Sequence, residues 1–219
     1  MINSRLTVPV YMRNNAMSWV PSPSKKVLRK RFFLRGPKEA GQVTSLVKYL
    51  PGSEFPNHPH PDGEEILVLD GVFSDHTGDW PAGSWLLHPE GFSHAPGSNP
   101  GCLLFVRLRQ YKGRERLAVS LAGLGWVGAR DSELLATPEG NIRIMTLAPG
   151  ERRVMQGNAG LEGFVVNGQV RVQGWPLVKY DWFRLPPVGQ IVIESSGCVL
   201  YVDEGSVSRL ADTAARPIA

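Results

Sequence analysis

Three histidines and a glutamate in the first half of the chain have the residue types and spacing of a metal site. His58 and His60 stand two apart in GSEFPNHPHPDGEEILVLDG, residues 52–71, and Glu64 follows His60 by four. Side chains two apart on an extended strand point to the same face, so both imidazoles address one point. A third imidazole, His94, arrives in GSWLLHPEGFSH, where Gly83, Pro89 and Gly91 shape a turn that delivers it from a distant strand. Such a set binds zinc, ferrous iron, nickel, copper or manganese, since imidazole and carboxylate do not choose sharply among first-row ions. Glu65 points away and is read as a wall residue rather than a catalytic acid or base. His76, in SDHTGD, is expected as a solvated loop residue and His88 as a packing or supporting one.

These residues must be positioned by strands. Runs such as VTSLVKYL, EEILVLDGVF, CLLFVRLRQ, IRIMTLA, GFVVNGQVRV, IVIES and CVLYVDE are short and rich in β-branched and aromatic residues, and helical periodicity is nearly absent. The 24 glycines and 18 prolines fall between them in turn clusters, the pattern of an all-β sandwich or barrel. The first thirty residues, with PSPS, read as an extended arm. YLPG recurs as LAPG, VLDGVFSD as VVNGQVRV, Trp80-Pro81 as Trp175-Pro176 and GCLLFV as GCVLYV, in the same order and about 95 to 98 residues apart. We therefore expect two copies of one β unit, with a boundary near residues 112–130: an arm over 1–30, a metal-binding unit over 31–119 and a second unit over 120–219.

The spacing of the metal set resembles the two cupin motifs. Gly52, five residues, His58, one residue, His60, three residues, Glu64, six residues, Gly71 is similar to the first motif at every defined position. Gly83, five residues, Pro89, one residue, Gly91, two residues, His94 is similar to the second, with Ser98 in place of its closing asparagine. Over about residues 19–112 the chain resembles the cupin domain of the ChrR family of zinc-dependent anti-sigma factors. The resemblance implies a double-stranded β-helix, or jelly-roll sandwich, in two tandem cupin units. It also implies His58, His60, Glu64 and His94 as ligands of one divalent transition metal, zinc first and iron, nickel or manganese next. In that family the sigma-binding part is a separate helical domain with its own His/Cys zinc site. No cysteine precedes Cys102 and the first fifty residues hold no histidine, so a sigma factor is not an expected partner. Two functions follow from the resemblance: a zinc-holding sensory or regulatory module that answers a small-molecule ligand, or a non-haem dioxygenase similar to the dihydroxyacetophenone dioxygenases. A sugar- or acid-binding cupin with a structural metal ranks below both.

In the second copy, counting from Gly150, the positions of His58, His60 and Glu64 read as Gln156, Asn158 and Glu162, with that of His94 near Gln190 or Ile191. Amide side chains are weak transition-metal ligands, so one metal per chain is expected. Trp80, Trp85, Trp175 and Trp182 recur in both copies and are expected to pack in the sheets. Cys102 and Cys198 lie in apolar runs and read as reduced, structural residues. The net charge of +4 is modest, and KKVLRKRF reads as a solvated basic strand rather than a nucleic-acid surface. No leader pattern or membrane-length apolar run occurs, so a cytoplasmic, soluble protein is expected, with a homodimer through sheet edges one option for its assembly.

Overall fold

Short runs of β-branched and aromatic residues between glycine and proline turns dominate the chain, and the structure is correspondingly built almost entirely of antiparallel strands. It is a computed structural model that describes residues 1–24, 26–111, 113–121, 131–138 and 140–213. Lys25 of the basic run and most of the expected boundary segment 112–130 lie outside the described residues. The chain divides into two compact units, one of Met1–Ser4 with Met17–Val127 and one of Arg5–Ala16 with Gly128–Ala219.

In the first unit the main sheet runs Leu117–Ser120, Ser84–His88, Glu64–Asp75, Cys102–Leu108, Gln42–Tyr49, Val27–Arg35 and Val20–Pro21, with every named neighbour antiparallel. A separate two-stranded ribbon pairs His58–His60 with Phe92–His94. The strand Val27–Arg35 begins inside the segment read as an arm, and Ile2 bridges to Leu34. Val27, Val47, Tyr49, Ile66, Val68, Phe73, Leu86, Cys102, Leu104 and Val106 form one apolar cluster. Alternate residues of the same strands, Leu46, Leu67, Trp85, Leu87 and Phe105, are buried as well. Strands buried on both faces explain why their sequences read as continuous apolar runs rather than as clean alternation.

The second unit's sheet runs Val10–Met12, Trp182–Leu185, Leu161–Val172, Val188–Glu204, Gly140–Gly157 and Ser132–Thr137, and Trp175–Val178 pairs with Leu161–Val172. Part of the expected arm is thus a strand, Val10–Met12, in register with Trp182–Arg184. The helix Ser206–Thr213 follows the last strand, and among the described residues no helix is long and apolar enough to cross a membrane.

The two units share a local device. Gly71 and Gly168 hold φ of +73° and +80°, and a Cβ on either would lie 2.1 or 2.0 Å from the carbonyl oxygen of Gly101 or Gly197. Only glycine fits such an approach, which explains why DG and NG recur at the same place in the repeat. Cys102 and Cys198, each one residue on from those carbonyls, are buried and unbridged.

Candidate metal centre

The ribbon His58–His60 keeps the strand parity expected of it: His60 is buried, Pro59 is exposed, and His94 lies directly opposite His58. Gly63, at φ +75°, turns the chain out of the ribbon, its N–H and that of Gly91 both donating to the His60 carbonyl. The strand then opens on Glu64, which pairs with His88 on one side and Leu108 on the other.

Three of the expected residues, His60, Glu64 and His94, meet directly, and His58 groups with the two histidines. His60 Nε2 and His94 Nε2 are 3.0 Å apart, and Glu64 Oε2 lies 3.3 Å from each. Donor atoms of His58, His60 and His94 fall within 4.8 Å of one another, and Glu64, His88 and His94 make a second such group. An ion with bonds of about 2.0–2.1 Å holds adjacent donors about 2.8–3.4 Å apart, between octahedral and tetrahedral angles. The observed separations match that spacing, so the cluster can hold a metal ion.

The imidazoles are oriented from behind. His58 Nδ1–H donates to the Pro56 carbonyl at 2.9 Å and His94 Nδ1–H to Asp75 Oδ2 at 3.0 Å, which leaves the Nε2 lone pair of each for a ligand bond. Asp75 is itself fixed by the backbone N–H and hydroxyl of Thr77. Burial opposes ionisation of the Asp75 carboxyl, but hydrogen bonds from His94 and Thr77 outweigh it and hold the group well below the usual carboxylate range. Burial likewise opposes the charged form of Glu64, and the surrounding His60, His88 and His94 overcome it in the same direction. The histidines split. Burial, reinforced by the neighbouring imidazoles, pushes His60 down to about 4, whereas His94 rises to about 9 because Asp75 and Glu64 outweigh its burial.

Sequence spacing did not reveal Asp75, which sits 19 residues before His94 at the far end of the strand that Glu64 begins. We expect Asp75→Asn to weaken metal binding by about 10–100-fold, read by competition with a chromophoric chelator, because the His94 ring loses the carboxylate that fixes it.

His88 lies nearer the centre than a packing role alone requires. It is fully buried, stacks on Phe92 at 4.1 Å between ring centroids, and places Nδ1 3.4 Å from Glu64 Oε2. It does not line the cavity described below, so it bears on Glu64 from behind. His76 is exposed and stacks on Phe92. Glu65 faces the opposite side, accepting from Trp85 Nε1–H at 2.8 Å and Arg107 Nη1–H at 2.9 Å.

On the open side of the cluster is a cavity of about 230 Å³. Val27, Val47, Tyr49, Ile66, Phe73, Leu104 and Val106 form its apolar wall, and His58, His60, Glu64 and His94 line it too. A cavity of about 150 Å³ accommodates benzene, so this one has room for a single ring or a short chain.

The second unit corrects the register read from its sequence. Met155 pairs with Ile191 as His58 pairs with His94. Glu162 Oε1 accepts from Trp182 Nε1–H at 2.8 Å, as Glu65 does from Trp85. Glu162 is therefore the counterpart of Glu65, and the places of His58, His60, Glu64 and His94 are held by Met155, Gly157, Leu161 and Ile191. Anchoring on the PG turns shifts the count by one residue, and a one-residue slip in a strand exchanges its two faces. Met155, Leu161 and Ile191 belong to one apolar cluster, and a Cβ on Gly157 would meet Ile191 Cδ1 at 2.7 Å. No side chain at these four positions carries a nitrogen or oxygen donor.

Residues 7–112 match the family described as the ChrR Cupin-like domain. No curated protein matches the sequence. Among solved structures, the chain is similar to the bacterial pirin YhhW from Escherichia coli, in complex with nickel(II), at a TM-score of 0.67 and 18% identity over 90% of this chain and 98% of that one. It is similar to a protein of Nostoc punctiforme named "putative dioxygenase" at 0.70 and 15%, over 90% and 82%. A cupin 2 conserved barrel domain protein from Leptotrichia buccalis aligns at 0.58 and 16%, over 93% and 99%. At these identities the structures speak for the fold alone. The motifs of the first unit, the match of residues 7–112 to the ChrR Cupin-like domain and the all-β jelly-roll fold shared with these structural neighbours together fit a cupin.

Proposed function

We propose that the chain is a bicupin, two copies of one unit, in which the first is a metal-dependent centre for oxidising a small organic molecule and the second is a metal-free structural copy. The observation that carries this reading is the cavity: His58, His60, Glu64 and His94 stand on the wall of a space large enough for a substrate. A structural metal site is closed by its ligands, whereas a reactive one keeps a position open. A ferrous ion there would supply Lewis acidity and electrons for dioxygen. The chain's own residues do the rest. The histidines and Glu64 hold the ion, Asp75 fixes His94, and the apolar wall excludes water and holds the body of the substrate. The shared glycine device, the paired Trp–Glu hydrogen bonds and the matching ribbon register support descent of both units from one pattern.

A sensory reading is favoured by one observation, the match of residues 7–112 to the ChrR cupin-like family. In that reading zinc holds the centre and a ligand in the cavity alters the surface. Metal analysis of the protein purified from its native host, followed by oxygen uptake with diketones and hydroxyacetophenones after ferrous reconstitution, separates the two. One iron per chain, with uptake lost in His58→Ala, supports the oxidative reading; one zinc per chain with no uptake rejects it.

A further inference from the structure

The basic run read as a solvated strand turns two of its five charges toward the cavity. Along Val27–Arg35, Arg29 and Arg31 face the cavity, while Lys30 lies on the other side over the ring of Trp19. Their side chains are only 18% and 11% exposed. Both guanidiniums converge on one carboxylate: Arg29 grips Glu39 with two bonds of 3.1 and 3.2 Å, and Arg31 adds a third at 3.0 Å. Glu39 comes from the turn between this strand and the next, and its own side chain is half exposed. Arg31 and Ser45 are cross-strand neighbours, and Ser45, on the cavity wall, is almost wholly buried. Among the described residues its hydroxyl, Arg29 Nε and Arg31 Nε have no hydrogen-bond partner. Buried polar groups are ordinarily paired, so three unused donors around one space point to a polar guest. A planar guanidinium fork matches a carboxylate in both charge and geometry.

We propose that the cavity takes an organic carboxylate, its acid group held by Arg29, Arg31 and Ser45 and its body lying along the apolar wall toward the metal ligands, and that Glu39 occupies the acid subsite until the ligand displaces it. This names a ligand class for the centre assigned above and rests on that reading for what happens at the metal. The carboxylate subsite itself stands on residues that hold no metal. Arg29, Arg31 and Lys38 against Glu39 leave the lining on this side positive, which favours an anion entering over a neutral molecule of the same shape.

The test is calorimetric titration of benzoate, with benzamide as the uncharged control, into metal-loaded and metal-stripped protein. Glu39→Gln frees the arginine pair and is expected to tighten benzoate about tenfold, while Arg31→Met weakens it by at least about tenfold. Benzamide binding moves with neither change, and both variants retain the metal content of the unmodified protein. Benzoate that binds no better than benzamide, or that is indifferent to Glu39→Gln, overturns the proposal. The stripped protein keeps the two claims apart: a failed metal centre shows as no bound metal with the benzoate response intact, and a failed acid subsite as metal present with that response absent.

Discussion

Glu64→Gln is expected to lower metal affinity by more than about 100-fold while leaving the fold in place. The substitution preserves shape but removes the negative charge that faces His60, His88 and His94 from one oxygen, Oε2. Loss of a residue that merely supports a ligand costs about 10–100-fold, so loss of the charged ligand itself costs more. Glutamine also brings an amide that either aims hydrogens at the ring nitrogens or offers a weak neutral oxygen. Equilibrium dialysis against zinc or ferrous iron measures the affinity, and circular dichroism of the same sample checks the fold.

Glu65→Ala is expected to do the reverse. Glu65 and Arg107 are both buried, and the carboxylate also accepts from the indole of Trp85. Removing it takes the charged partner from a buried guanidinium and leaves it neutral ones such as Gln110, a change that costs about 3–5 kcal/mol. For a chain of this size that corresponds to a fall in melting temperature of about 6–20 °C, read by calorimetry. The folded fraction still binds metal, since Glu65 faces away from the ligand cluster. Adjacent glutamates thus separate into a stability phenotype and a binding phenotype, and the difference traces to strand alternation alone.

That alternation also explains how much of the site was legible in the sequence. His58 and His60 were readable because an i, i+2 pair on a strand shares a face whatever surrounds it, and His94 because glycine and proline mark the turn that delivers it. Asp75 was not readable: its meeting with His94 depends on how the long strand Glu64–Asp75 runs past the ribbon, which spacing does not encode. His88 read as either a packing or a supporting residue because a histidine before proline carries no sign of its direction, and its place behind Glu64 gives it the supporting position. The basic run was misjudged for a related reason. Charge suggested a solvated face, yet a strand beside a cavity turns alternate residues inward, and Arg29 and Arg31 are the ones so placed.

The repeat shows the same limit more sharply. Matching PG, DG and GC words aligns the two halves of the sequence, but those words fix a strand only to within a residue. One residue decides which side chains enter the core. The partners Met155–Ile191 and Glu162–Trp182 supply the missing register, and they replace the polar set Gln156, Asn158 and Glu162 by the apolar set Met155, Gly157, Leu161 and Ile191.

The central claim is one metal per chain, held in the first unit by His58, His60, Glu64 and His94. Metal analysis by plasma mass spectrometry, on the unmodified protein and on Glu64→Gln purified side by side, tests it most directly. One transition-metal ion per chain is expected in the first and almost none in the second. Two ions per chain, or an undiminished content in Glu64→Gln, would contradict it.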